Sequence, residues 1–241
     1  MRIECRVKHL ILDPRHFMFL LVPRYSTPDT LWYSMTDPKP TVFLVDDDPS
    51  VLKSLARLLR SLGFDVETFA SAELFLARKH YDGIGCIVLD VRMPGLSGMD
   101  LQDELSQADH SMPIIFITGH GNIPMSVQAM KKGAVDFLTK PFDDEELLEA
   151  VKKAIEKDRK AKAEQAEMHD ALRRIEQLTP REHEILRYVI TGMLNKQIGL
   201  KLDIAEKTVK VHRGRIMEKL CVDSVADLVR LAEKAGIKQA D

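Results

Sequence analysis

Between Thr41 and residue 157, short apolar runs alternate with stretches whose apolar residues recur every three to four positions. The runs are Thr41 to Val45, Phe64 to Phe69, Ile84 to Leu89, Ile114 to Ile117 and Ala134 to Leu138. Each is short, rich in Val, Ile, Leu and Phe, and set off by turn residues such as Gly63, Gly95 and Gly133, so each reads as a buried strand. The helical periodicity covers roughly 49–62, 71–79, 98–107, 123–132 and 143–158, and Leu52, Leu55, Leu58, Leu59 and Leu62 form one stripe of the first helix. Strands that alternate with helices predict a doubly wound α/β domain: a parallel five-stranded sheet with right-handed crossovers.

From residue 179 the strands stop. Four helices follow, roughly 180–191, 195–202, 205–220 and 224–235, and predict an all-α domain. Thr179-Pro180-Arg181-Glu182 opens it as a capping box with Pro at the first helical position. Only Asp203-Ile204 separates the second and third helices, the spacing of a helix-turn-helix. Residues 156–178 are dominated by Lys, Glu and Ala, with six basic and six acidic residues. A heptad would need apolar residues near 158 and 162, where Asp158 and Lys162 stand, so a solvated, semi-rigid helical linker is expected. Residues 1–38 carry Pro14, Pro23, Pro28 and Pro38 and no sustained periodicity. They are expected to be a disordered extension, with translation starting at Met35. The expected divisions are therefore 1–38, 39–157, 158–178 and 179–241.

Charge sharpens this division. Residues 37–155 carry 12 basic and 19 acidic residues, a charge of −7, whereas residues 179–241 carry 12 basic and 9 acidic, a charge of +3. An acidic domain followed by a basic one suggests a nucleic-acid partner for the second. Cys5, Cys86 and Cys221 are widely spaced and show no zinc-binding pattern, which fits a reducing cytosol. Phe17 to Val22 is too short to span a membrane and follows Asp13-Pro14, a poor entry to a signal peptide, so a cytoplasmic protein without membrane association is expected.

Candidate chemistry collects at the strand ends. Asp46-Asp47, Asp90, Thr118 and Lys140 each follow or end an apolar run. In an open parallel sheet, ligands sit at the carboxyl ends of the strands. Three carboxylates there suit a hard cation such as Mg2+, and a Lys and a hydroxyl beside them suit a phosphoryl group.

Val-Asp-Asp-Asp (45–48), Val-Leu-Asp-Val-Arg-Met-Pro-Gly (88–95), Ile-Thr-Gly-His-Gly (117–121) and Phe-Leu-Thr-Lys-Pro-Phe (137–142) resemble the receiver domain of bacterial two-component response regulators. The resemblance covers about residues 41–157, with the motifs in order. It implies that Asp90 accepts a phosphoryl group from a sensor histidine kinase. It implies that Mg2+ is held by Asp46, Asp47, Asp90 and the Arg92 backbone carbonyl, and that Lys140 pairs with the phosphoryl group. Thr118 and Phe137 would be switch residues, Lys140-Pro141 a cis peptide, and the fourth helix, fifth strand and fifth helix the face of a homodimer.

The second domain resembles the DNA-binding domain of the LuxR/FixJ class, through Thr179-Pro180-Arg181-Glu182, Asn195-Lys196-Gln197-Ile198 and Lys207-Thr208-Val209-Lys210-Val211-His212. The helix at 205–220 would lie in the major groove. Lys207, Lys210, Val211 and Gly214 would face bases or backbone, and Lys196, Thr208 and Arg213 the phosphates. Val209, Ile216 and Leu220 would pack inward on Ile185, Leu186, Val189 and Ile198. The implied partners are double-stranded promoter DNA and RNA polymerase, and the implied role is not an enzyme's. Asp203 and Ala205 depart from the usual Gly and Ser, and Gly199 from the usual Ala; Asp203 is expected to replace part of the lost cap.

A rival reading is an enzyme. Asp46-x-Asp48-x-Ser50 also resembles the nucleophile motif of haloacid-dehalogenase-type phosphatases. It leaves Asp90 and everything after residue 179 without a role. A third is a constitutive DNA binder whose receiver is only a dimerisation scaffold.

Overall fold

The computed structural model describes residues 39–107, 112–119 and 123–240. Residues 1–38, and with them the expected extension and Met35 start, lie outside the described residues, as do His120 and Gly121 of the fourth-strand motif. The described chain forms two compact units that divide between Lys162 and Ala163.

The first unit runs β1 (Thr41–Val45), α1 (Pro49–Ser61), β2 (Asp65–Phe69), α2 (Ala72–Leu76), β3 (Gly85–Asp90), α3 (Gly98–Gln107), β4 (Ile114–Thr118), α4 (Ile123–Lys131) and β5 (Asp136–Thr139), and then enters α5 (Asp144–Ile175). The five strands are all parallel, in the order β2-β1-β3-β4-β5. Strand geometry explains the continuous apolar runs. Successive side chains point to opposite faces, and both faces are covered. Val42, Leu44, Cys86, Val88, Ile115 and Ile117 pack with α1 and α5. Phe43, Val45, Ile87, Leu89, Ile114 and Phe116 pack on the other face with α2, α3 and α4.

One helix is clearly shorter than the periodicity predicts, and one residue lies deeper than expected. Helix α2 spans only Ala72–Leu76 instead of 71–79. Beyond it the chain turns, and Arg78 lies 4.8 and 4.4 Å from the Phe43 and Phe75 ring centroids. Helix α5 runs past 158, through most of the stretch read as a helical linker, to Ile175. Its Asp158, expected among solvated charges, is fully buried.

The second unit adds α6 (Pro180–Val189), α7 (Asn195–Leu202), α8 (Glu206–Leu220) and α9 (Val225–Lys234). Ile175, Ile185, Leu186, Val189, Ile198, Val209, Ile216, Leu220 and Leu228 form its core. Each residue of the opening motif has a structural task. Thr179 and Glu182 close the capping box, with bonds of 3.3 and 2.9 Å, and Pro180 occupies the first turn. Arg181 donates to the Leu202 carbonyl at the end of α7. No helix among the described residues is long and apolar enough to cross a membrane.

Candidate functional site

Strand order brings Asp46, Asp90, Thr118 and Lys140 to one edge. Strands β1, β3 and β4 are neighbours, and Asp46 follows β1 while Asp90 and Thr118 end β3 and β4. The Lys140 N–H donates to the Thr118 carbonyl at 2.7 Å, which holds the chain after β5 against β4. Asp46, Asp90 and Thr118 are 2%, 6% and 1% exposed, so this is a buried polar cluster.

The charges are organised by the lysine. Lys140 Nζ donates to Asp46 Oδ2 at 2.6 Å and to Asp90 Oδ1 at 2.8 Å. The second oxygens are also engaged: Asp46 Oδ1 accepts from the Asp48 N–H at 2.9 Å, and Asp90 Oδ2 from the Arg92 N–H at 2.6 Å. Burial raises the Asp90 carboxyl above its ordinary value; the bond and charge of Lys140 and the Arg92 N–H offset part of this, and the Asp46 charge adds to it. Burial pulls the Lys140 ammonium down, but its bonds to both carboxylates outweigh this and raise it.

Asp47 is exposed at the rim. Among the described residues no three acidic, His or Cys side chains are gathered as a metal cluster, and Lys140 stands between Asp46 and Asp90. The donor chemistry nevertheless fits a hard cation, since Asp46, Asp47 and Asp90 offer carboxylate oxygens at one strand edge. Asp48, central to the phosphatase reading, is spent elsewhere: it caps α1 by accepting from the Ser50 N–H at 2.8 Å.

Two residues support the site in ways that the sequence reading did not assign to them. A Cβ on Gly98, the first residue of α3, would lie 2.2 Å from the Asp90 carbonyl oxygen, so α3 approaches the strand end only because this residue has no side chain. Glu73 on α2 accepts from the Leu96 N–H at 3.0 Å and tethers the loop after Asp90. Neither has a local signal, because each acts on a backbone atom remote in sequence. Phe137 is half-buried on β5, paired with Phe116 in register and with ring centroids 6.2 Å apart. Thr118 lies two residues beyond Phe116 and so on the same face of the sheet. The Lys140-Pro141 bond is cis.

In the second unit, Lys196, Lys207, Thr208, Lys210, Val211 and Gly214 are exposed, and Val211 keeps 47% of its surface. Lys207, Lys210, Val211 and Gly214 fall on one face of α8 by helical spacing, opposite buried Val209, Ile216 and Leu220. Arg215, exposed and one turn after Val211, extends this face; spacing alone could have found it. Arg213 is half-buried and donates to Asn195 Oδ1 at 3.0 Å. His212 is half-buried, and its Nδ1 has no hydrogen-bond partner, as for a packed side chain.

The turn explains the unusual residues there. Asp203 has φ 52° and ends α7 in the left-handed region, where Gly is the cheaper residue. It does not replace the missing serine cap: Ala205 precedes α8 with no side-chain cap bond. Gly199 is required by sterics, since a Cβ there would lie 2.7 Å from the Ile204 carbonyl oxygen.

A buried, lysine-bridged carboxylate pair at the carboxyl edge of a β2-β1-β3-β4-β5 sheet, followed by a helix-turn-helix unit, defines a class: a signal-receiving domain joined to a DNA-binding one. Comparison with known proteins agrees. Residues 42–152 match the response regulator receiver domain, and residues 176–232 match the bacterial regulatory proteins of the luxR family. Nodulation protein W of Bradyrhizobium diazoefficiens is 50% identical over 199 residues, which span 83% of this chain and 88% of that protein. The transcriptional regulatory protein FixJ of the same species is 40% identical over 196 residues, 81% of this chain and 96% of that one. The solved structure of the response regulator StyR is 49% identical, covers 82% of this chain and all of its own, and superposes with a TM-score of 0.74. The chain belongs to the two-component response regulators that join a receiver domain to a LuxR-type DNA-binding domain, a family of transcription regulators.

Proposed function

We propose that this protein is a cytoplasmic switch in which phosphorylation of Asp90 controls promoter binding by α8. The observation that carries this reading is the Asp46–Lys140–Asp90 bridge: a buried pair of acids and one lysine at the strand ends, where a phosphoryl group and its counter-ion can replace existing contacts. The donor is a phosphohistidine of a sensor kinase. An Asp90 carboxylate oxygen bonds to phosphorus as the P–N bond of the donor breaks, and the product is an acyl phosphate. Asp46, Asp47, Asp90 and the Arg92 carbonyl would hold Mg2+, which neutralises phosphoryl oxygens when bound. Lys140 exchanges a carboxylate for a phosphoryl oxygen. The Thr118 hydroxyl turns toward the phosphoryl group, and Phe137 fills the space behind it.

The output is a homodimer on DNA. Ile123, Val127 and Met130 are 80%, 45% and 46% exposed and recur at helical spacing on α4, which supports the α4–β5–α5 face as the contact. Two α8 helices would then read two half-sites. Lys210, Val211 and Lys207 face the bases, Gly214 permits close approach, and Lys196, Thr208, Arg213 and Arg215 meet phosphates. RNA polymerase is the partner at those promoters. Residues 39–157 act as receiver, 158–178 as connecting helix and 179–241 as DNA-binding domain. Labelling tests the reading: with Mg2+ and acetyl phosphate the protein takes up one phosphoryl group, and its duplex affinity rises. Uptake without any change in affinity would make the receiver an inert scaffold.

A further inference from the structure

Helix α5 carries an aspartate where its apolar stripe calls for a core residue. Leu147, Val151 and Ile155 are fully buried against the sheet, and the next position on that stripe is Asp158, also 0% exposed. Such a carboxylate is tolerated only when paired and hydrogen-bonded. Asp158 Oδ2 accepts from the Gly85 N–H at 2.8 Å and from Lys162 Nζ at 2.8 Å. Lys162 Nζ also donates to the Gly83 carbonyl and lies 5.9 Å from the Tyr81 ring centroid. Burial, reinforced by the Asp158 charge, pushes the neighbouring Cys86 thiol far above its ordinary range, so it takes no part as a thiolate.

The clasp is aimed at one strand. Strand β4 pairs with β3 only from Ile87 onward, which leaves the Gly85 N–H beyond the end of that ladder. Asp158 takes that donor. The strand it grips is β3, which ends at Asp90. The helix that supplies the grip continues unbroken through Ile175. Apolar contact alone tolerates sliding and rotation of a helix on a sheet. Directional bonds to fixed backbone atoms do not, and a buried ion pair adds little net stability once the desolvation of its charges is counted.

We propose that Asp158 and Lys162 are positioning residues that set the register of α5 on the phosphoacceptor strand, and that this register is needed for phosphorylation to alter DNA binding. The second half rests on the switch reading above. The test uses the full chain, its D158N and K162Q variants, acetyl phosphate with Mg2+, and a duplex selected by the parent from a random-sequence pool. Asn keeps the shape of Asp158 without its charge. Lys162 is about a quarter exposed and Gln keeps a hydrogen-bond donor on a shorter stem, so K162Q is the milder change and decides the matter alone if D158N does not fold. Three readouts are taken: phosphoryl uptake, the gain in duplex affinity on phosphorylation, and amide hydrogen exchange at Gly85 and over 159–175. Both variants are expected to take up phosphoryl as the parent does and to exchange faster at Gly85. Their gain in affinity should fall from roughly tenfold to about twofold or less. A purely structural bond would lower the melting temperature and leave the gain intact; an unchanged gain in K162Q overturns the proposal. If the parent itself shows no gain, the switch reading has failed, and the clasp is judged on exchange: unchanged Gly85 protection in K162Q overturns it.

Discussion

In the first unit the reactive groups come from the ends of separate strands and are spread from Asp46 to Lys140 in sequence, and Asp46, Asp90 and Thr118 are nearly closed to water. In the second, Lys207, Lys210 and Arg215 lie on one helix and are open to water. The difference sets how each fails. Buried charges interact through low-dielectric surroundings, so each depends on the others, and removing one leaves its partners unpaired. Exposed basic residues are screened and contribute nearly independently. Damage to the receiver site should therefore be all-or-none, and damage to the helix face graded.

The largest expected effect breaks the comparison at its strongest point. Asp90→Asn should abolish phosphoryl uptake with acetyl phosphate and Mg2+, since an amide is no nucleophile. Residual stoichiometric labelling of that variant would move the acceptor to Asp46 or Asp47.

Next in size is a buried charge in the second unit. Glu182 is 3% exposed and pairs with Lys219 Nζ at 2.6 Å. Burial pushes its carboxyl up, but Lys219 and the Thr179 N–H and hydroxyl outweigh this and lower it from 4.5 to about 2. The unfolded chain then takes up the proton first as pH falls. The stabilisation is fully present above 4.5 and is lost as pH drops toward about 2. Glu182→Gln should cost roughly 1–3 kcal/mol at neutral pH. It should also flatten the acid limb of the second unit's melting curve; a parallel limb in parent and variant would show that Glu182 does not carry it.

On the exposed face, Lys210→Ala should behave as a graded loss. A base contact costs roughly 1–3 kcal/mol and relaxes preference at one position. A phosphate contact weakens all duplexes alike and lowers the salt slope by about one. Titrations of a selected and a scrambled duplex at two salt concentrations separate the two, and parent-like binding in all four would take α8 out of the groove.

The smallest effect concerns the turn. Ala205→Ser should supply the missing cap and raise stability by about 1 kcal/mol. Thermal melting reads this directly, and a lower melting temperature would mean that the start of α8 is already satisfied in another way.

Some of this was legible before any coordinates. The strand runs and the ends that carry Asp46, Asp90, Thr118 and Lys140 follow from continuous apolar stretches, the inward face of α8 from a period of 3.6 residues, and the capping box from Thr179 standing three residues before Glu182. These are local properties of the chain, and local geometry repeats wherever the pattern does. The end of α2 was misplaced because Arg78 continues the charged periphery of a helix in sequence, while in space its guanidinium covers Phe43 and Phe75.

What the sequence by itself determined is the set of elements, their buried faces, and the chemistry presented at each strand end and on α8. Packing decided the rest. Lys140 bridges Asp46 and Asp90 because neighbouring strand ends leave a gap that an ammonium spans. Gly98 and Gly199 are fixed by backbone oxygens of Asp90 and Ile204, which no local pattern reveals. Asp158 and Lys162 read as solvated charges that interrupt a heptad, yet they satisfy the entrance of a strand more than seventy residues earlier. A charge is placed by the unpaired group that it meets, and that group is known only once the sheet has formed.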